Sequence, residues 1–194
     1  LDTLERERQE LLSRMASFAE MKRVAFMKTF DGVRESFRRI YTDLSGGQGD
    51  LVLDDEADPF AGGLVIRACP KGKDMKRMEA LSGGEKSLAA LAFVFSWQTF
   101  RPAPFYIFDE VDMFLDNPNT ERLADMIRRQ SGNTQFIVVS LKRCMIEKSH
   151  RTVGVYAREG GFSQVAGVDM ATLEGPGATA VGSTADTSSA AAAN

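Results

Sequence analysis

Residues 81–116 read LSGGEKSLAALAFVFSWQTFRPAPFYIFDEVDMFLD. Leu81-Ser82-Gly83-Gly84 is a small-residue turn. Ser82, with Glu85 three residues later, forms a capping box that predicts a helix from Glu85 to about Phe100. Leu88, Leu91, Ala92, Phe95 and Trp97 predict that this helix is largely buried. Arg101-Pro102-Ala103-Pro104 ends it. Phe105 to Phe108 is a continuous apolar run, the mark of a central strand covered on both faces, and it ends in Asp109-Glu110. A helix N-terminus offers unpaired N–H groups and a partial positive charge, which suit a phosphate. A strand-end Asp suits Mg²⁺, and an adjacent Glu can polarise a water.

Each half alone is ordinary: a Gly-Gly before a helix is usually a turn, and a strand ending in two carboxylates is usually a solvated end. In this order, with one apolar helix between them, they make two working parts of a nucleotide hydrolase. The third part is a P-loop, G-x-x-x-x-G-K-[ST], and this sequence has none. Gly72-Lys73 comes nearest, but Asp74 follows where Ser or Thr is needed and Arg67 stands where the first Gly should be. Lys86-Ser87 is preceded by Glu85 instead of Gly. The expectation is half of an ATPase.

Downstream, Asn117 to Gln130 reads as a helix with Pro118 early in its first turn. Phe136 to Ser140 reads as a second buried strand, Met145 to Ser149 as a short helix, and Thr152 to Tyr156 with Phe162 to Val168 as a hairpin around Gly160-Gly161. Strand, helix and strand predict an α/β core with buried parallel strands. Ala171 to Asn194 has no aromatic residue and no Ile, so it is expected to be a disordered tail.

Upstream, residues 1–43 hold no Pro and only Gly32. Leu4, Leu11, Phe18 and Ala25 recur every seven residues, with Leu1 and Met15 on the neighbouring seam and Arg8 and Lys22 interrupting it. This partial heptad predicts a helix that pairs with another helix; packing on its own domain is the alternative. Val24, Phe26, Phe30, Val33, Phe37 and Ile40 form a broader face that suits a globular core. The chain opens in mid-helix without a cap, as the end of a longer element would. Asp50 to Leu53 and Gly63 to Cys69 predict a hairpin about an acidic turn at Asp54–Gly63. Leu44-Ser45-Gly46-Gly47 copies the first four residues of LSGGEK, but no amphipathic helix follows, so it receives no phosphate role. Lys71, Lys73, Lys76 and Arg77 form a basic run, read as a solvated face, with phosphate or DNA contact the lesser reading.

At 194 residues the chain has room for one domain plus extensions. Its net charge of −3 argues against a uniformly basic nucleic-acid binder. Cys69 and Cys144 are too few for a metal site or a disulfide framework and read as reduced thiols of a cytosolic protein, and His150 is the only histidine. No apolar run reaches about eighteen residues, and the N-terminus does not read as a signal peptide.

LSGGEK and FYIFDE resemble the signature and Walker B segments of ABC-type ATPases. The narrower resemblance is to the C-terminal head half of prokaryotic structural-maintenance-of-chromosomes (SMC) proteins. It is carried by Asp58-Pro59-Phe60-Ala61-Gly62-Gly63-Leu64, Leu81 to Phe95, Arg101 to Asp116, Gln135 to Leu141 and Gly154-Val155. It implies three parts: residues 1–43 as the end of a coiled-coil arm with the helix leading into the head, 44–170 as the C-terminal lobe of the head, and 171–194 as the tail.

The resemblance also implies a mechanism. A P-loop-bearing N-terminal half of the same long chain completes the head, and two heads, a homodimer, sandwich two ATP molecules. Ser82, Gly83 and Gly84 would contact the γ-phosphate of ATP on the partner head. Asp109 would hold Mg²⁺ through water, Glu110 would activate the attacking water, and Asp116, at the D-loop position, would line the dimer interface. The implied cofactors are ATP and Mg²⁺. The implied partners are the N-terminal half, a second head, a kleisin subunit and, through the assembled complex, DNA, with no membrane, in the cytoplasm on the nucleoid. Leu141 stands where ABC transporters and some relatives have a switch histidine. A coiled-coil DNA-repair ATPase and a non-catalytic kleisin-docking module are the competing readings.

Overall fold

The computed structural model describes residues 2–158 and 161–170. The expected tail at 171–194 and Gly160 lie outside them. The described residues divide into two compact units, one up to Ser140 and one from Leu141 on.

The first unit opens with helix α1, Asp2–Ser45. At ~1.5 Å per residue it is on the order of 66 Å long, too long for the globular part alone to cover. Leu4, Leu11, Met15 and Phe18 are all more than half exposed, so the N-terminal part does not pack on its own unit. Burial starts at Val33 and continues through Phe37, Ile40, Tyr41 and Leu44. Val24, expected on the core face, is exposed because it still lies on the projecting part of the helix. The helix ends in an αL glycine: Gly46 has φ 67°, and its N–H donates to the Thr42 carbonyl at 2.9 Å. The segment Leu44–Gly47 therefore terminates a helix instead of opening one.

Strands β1 (Gln48–Leu53) and β2 (Leu64–Cys69) form the expected antiparallel hairpin, and β3 (Lys76–Arg77) adds a short third strand from within the basic run. Asp50 joins this sheet to α1. Its carboxylate accepts from Arg34 Nε and Nη2, both at 2.8 Å, and from Arg38 Nε at 2.9 Å. These bonds, Arg34's foremost, hold the Asp50 carboxyl well below the usual range against the cost of its partial burial.

Helix α2 (Gly83–Phe100) buries Leu88, Ala89, Leu91, Ala92 and Phe95. Gly32 lets it approach α1, since a Cβ there would meet Phe100 Cε2 at 2.4 Å. Trp97, expected in the core, is 48% exposed; it lies on the side of α2 away from Leu88, Ala92 and Phe95.

Strands β4 (Phe105–Asp109) and β5 (Gln135–Val139) pair in parallel, joined by helix α3 (Asn117–Gln130). One face of this sheet packs through Tyr106, Phe108 and Phe136, with the Phe95 ring of α2 5.4 Å from that of Phe108. The other face is open: Phe105, Ile107, Ile137 and Val139 are 45–61% exposed. The expectation of strands covered on both faces fails here, because no described element lies over that face. The apolar run Phe105–Phe108 is half in a core and half bare.

The second unit contains helix α4 (Arg143–Glu147) and a hairpin of β6 (Arg151–Ala157) with β7 (Ser163–Asp169), paired antiparallel. No described helix is long and apolar enough to cross a membrane.

Candidate functional site

The site is built where α2 begins and β4 ends. Ser82 is the N-cap of α2 in extended conformation, and the capping box forms as expected. The Ser82 N–H donates to Glu85 Oε2 at 3.0 Å. Glu85 also takes Lys73 Nζ on Oε1 at 2.6 Å. Lys73, and next the Ser82 backbone, hold the Glu85 acid down to about 2.

Gly83 and Gly84 differ in what they face. A Cβ on Gly83 would meet nothing within 4 Å, so its backbone is open at the helix N-terminus. A Cβ on Gly84 would lie 2.9 Å from the Phe114 carbonyl oxygen. That close approach holds the Ser82–Gly84 turn against the segment that follows Asp109-Glu110.

Asp109 closes β4, and both Asp109 and Glu110 are exposed. Glu110 has φ 50°, the only described non-glycine residue in the left-handed region, and its N–H donates to the Val139 carbonyl at 3.0 Å. A left-handed Glu is strained by ~1–3 kcal/mol and is retained where the surroundings dictate it. The turn beyond is tight, with Met113 N–H bonded to Glu110 and Leu115 N–H bonded to Asp112. Asp112 is 3% exposed and accepts from Ser140 Oγ at 2.5 Å. Asp116 caps α3, accepting from Asn119 N–H at 3.0 Å.

Among the described residues, no three His, Cys, Asp or Glu side chains gather as a metal-binding group. Asp109 is thus a single exposed carboxylate at the end of β4.

Residues 7–164 match the family described as RecF/RecN/SMC N terminal domain. The chain belongs to this family.

It is 55% identical over 171 residues to the chromosome partition protein Smc of Gloeobacter violaceus, covering 88% of this chain and 15% of that protein. It is 46% identical over 160 residues to the Smc of Pyrococcus furiosus, covering 82% of this chain and 14% of that one. The chain thus spans a small part of the length of the curated relatives it matches. Among solved structures, the Smc head domain of Pyrococcus furiosus with an extended coiled coil, bound to the C-terminal domain of ScpA, superposes with a TM-score of 0.83 at 43% identity. That match covers 89% of this chain and 43% of that one. A structure from work on ATP-driven dimerization and DNA-stimulated activation of SMC ATPases superposes at 0.69 with 47% identity, covering 76% of this chain and 89% of that one. The chain is an α/β SMC head region with a coiled-coil helix.

For an SMC head, the sequence pointed to Ser82, Gly83, Gly84, Asp109, Glu110 and Asp116, and the structure joins the two segments that carry them through the approach of Gly84 to the Phe114 carbonyl. Sequence reasoning missed two contributors. Asp112 was legible only as a third carboxylate in DEVD, with no sign that Ser140 would reach it. Lys73 was taken for a solvated charge in a basic run.

Proposed function

We propose that this chain is the C-terminal half of an SMC ATPase head. With a P-loop-bearing N-terminal half it binds and hydrolyses ATP between two engaged heads, and so serves chromosome organisation and partition. One observation carries the reading: the strand that ends in Asp109-Glu110 belongs to a parallel sheet whose outer apolar face is bare, and the segment after it packs on the Ser82–Gly84 turn. The turn and the two carboxylates are parts that act on nucleotide, at two different composite sites, and the bare face has the apolar surface that a P-loop-bearing half would cover. The family description speaks of an N-terminal domain. LSGGEK and FYIFDE are present and G-x-x-x-x-G-K-[ST] is not, which supports assigning the chain to the C-terminal half.

ATP with Mg²⁺ supplies the phosphoryl bond to be cleaved. Ser82, Gly83 and Gly84 offer hydroxyl and backbone N–H groups to a γ-phosphate held by the opposite head, and the open Gly83 leaves room for it. Asp109 would hold the Mg²⁺ that accompanies ATP, through water. Glu110, aimed by its left-handed backbone, accepts a proton from the attacking water. Asp116 holds the start of α3 at the dimer interface. The exposed heptad of α1 pairs with a returning arm helix, and an ScpA-type kleisin and DNA join the assembled complex, in the cytoplasm on the nucleoid.

The test is reconstitution. The isolated chain should show no Mg²⁺-dependent turnover, and the complete protein should show turnover. Hydrolysis by the pure chain would overturn the half-head reading, as would failure of the P-loop half to associate with it.

A further inference from the structure

The signature turn carries an electrostatic problem of its own. The capping box that starts α2 places a carboxylate, Glu85, three residues after Ser82. That carboxylate helps the helix, but a turn that must receive a phosphate is poorly served by a bare negative charge. At this range an uncompensated like charge costs about tenfold in affinity, less as salt screens it.

Lys73 answers this charge. It comes from the turn between β2 and β3, and that turn is built to hold it. The Lys73 N–H donates to the Pro70 carbonyl at 3.0 Å, and Gly72 takes φ 78°. The Cys69 thiol donates to the Lys73 carbonyl at 2.7 Å. From there Lys73 Nζ reaches Glu85 Oε1 at 2.6 Å, while Oε2 is occupied by the Ser82 N–H. One carboxylate oxygen serves the helix cap and the other is covered by the ammonium. The Glu85 side chain is 21% exposed and that of Lys73 is 56% exposed, so the pair stands at the surface where a partner's phosphate would arrive.

We propose that Lys73 is a positioning residue for the phosphate contact made by the signature turn: it neutralises Glu85, so that Ser82 and Gly83 meet the opposite head's nucleotide without a competing negative charge. The proposal rests on the two-head reading above. It also recasts the basic run. Lys73 and Arg77 are tied to Glu85 and Asp54, so the run is more a set of internal counter-charges than a cationic patch.

The test uses the complete protein, with turnover and nucleotide affinity measured separately. Lys73→Met should lower turnover about tenfold with nucleotide affinity unchanged, because each head's own P-loop is untouched, and the deficit should shrink as salt is raised. Lys76→Met, the same loss of charge three residues on, should leave turnover as in the parent. The double variant Lys73→Met with Glu85→Gln should recover to within about threefold of the parent, because Gln retains the capping box and removes the charge. A purely structural strap would give no such recovery. Parent-like turnover of Lys73→Met, or a double variant no better than Lys73→Met, would overturn the proposal. Ser82→Arg separates the two levels. If it abolishes turnover while Lys73→Met keeps the turnover of the parent, the proposal alone fails. If it leaves turnover intact, the two-head reading fails and the proposal goes with it.

Discussion

Lys22 Nζ stands 4.0 Å from the centroid of the Phe60 ring. Phe60 lies on the acidic turn between β1 and β2, and its ring centroid is also 5.1 Å from that of Phe26. The turn thus grips α1 where the helix leaves the globular part, closing over the stretch in which exposure gives way to burial. We predict that Phe60→Ala loosens this junction. Stacking and cation–π contacts of this kind are worth ~1–2 kcal/mol together. Backbone amides of residues 20–30 should exchange faster by roughly tenfold, with little change in α2. Unchanged exchange there would show that the grip contributes nothing.

Asp50 makes stability depend on pH in the acid range. Its carboxyl is held below its ordinary value by Arg34 and then Arg38, so the folded state favours the ionised form. The stabilisation is fully present above the unfolded carboxyl's pKa, about 4, and is lost as pH falls toward the lower folded value. Asp50→Asn should cost ~2 kcal/mol at neutral pH, leaving two guanidinium groups without their shared acceptor. In urea titrations the gap between parent and variant should narrow below pH 4. A gap constant down to pH 2 would contradict this.

Gly83 and Gly84 should respond oppositely to the same substitution. Gly84→Ala drives a Cβ to 2.9 Å from the Phe114 carbonyl and should cost ~1–3 kcal/mol of stability. Gly83→Ala meets nothing in its own chain and should keep or raise the melting temperature. In the complete protein, however, Gly83→Ala should lower turnover, because the added methyl narrows the space offered to the partner's phosphate. Full turnover of Gly83→Ala would remove that glycine from the phosphate contact.

Glu110→Gln should bind ATP in the complete protein and hydrolyse it slowly. The amide keeps the size of the side chain and loses the basic oxygen, a loss on the order of 10²-fold or more. The left-handed backbone at φ 50° adds a second check. Glu110→Gly should be as inactive as the Gln variant yet no less stable, since glycine adopts that conformation without strain. Near-parental turnover in either variant would exclude Glu110 as the base.

Much of this molecule was legible in one dimension. The capping box at Ser82 and Glu85, the Pro-bounded helix at Asn117–Gln130 and the β1–β2 hairpin depend on neighbours a few residues apart, so local rules suffice. The candidate site residues were singled out on equally local patterns: a small-residue turn that opens a helix and a strand that ends in two carboxylates. What the sequence could not decide is which apolar residues meet a neighbour. Phe105 and Phe108 share one run, yet Phe108 is buried under Phe95 and Phe105 is 54% exposed, because only one layer lies against the sheet. Trp97 looks like core and is not, for want of a facing element. Only tertiary structure brought Lys73 to Glu85, Ser140 to Asp112 and the Phe114 carbonyl to Gly84. Those contacts join residues from twelve to thirty apart in the chain, and no local propensity encodes them. The approach of Gly84 to Phe114 follows from the packing of α2 between α1, where Gly32 meets Phe100, and the β4–β5 sheet, where Phe95 meets Phe108; the other two depend on how separate turns and strand ends come together in space.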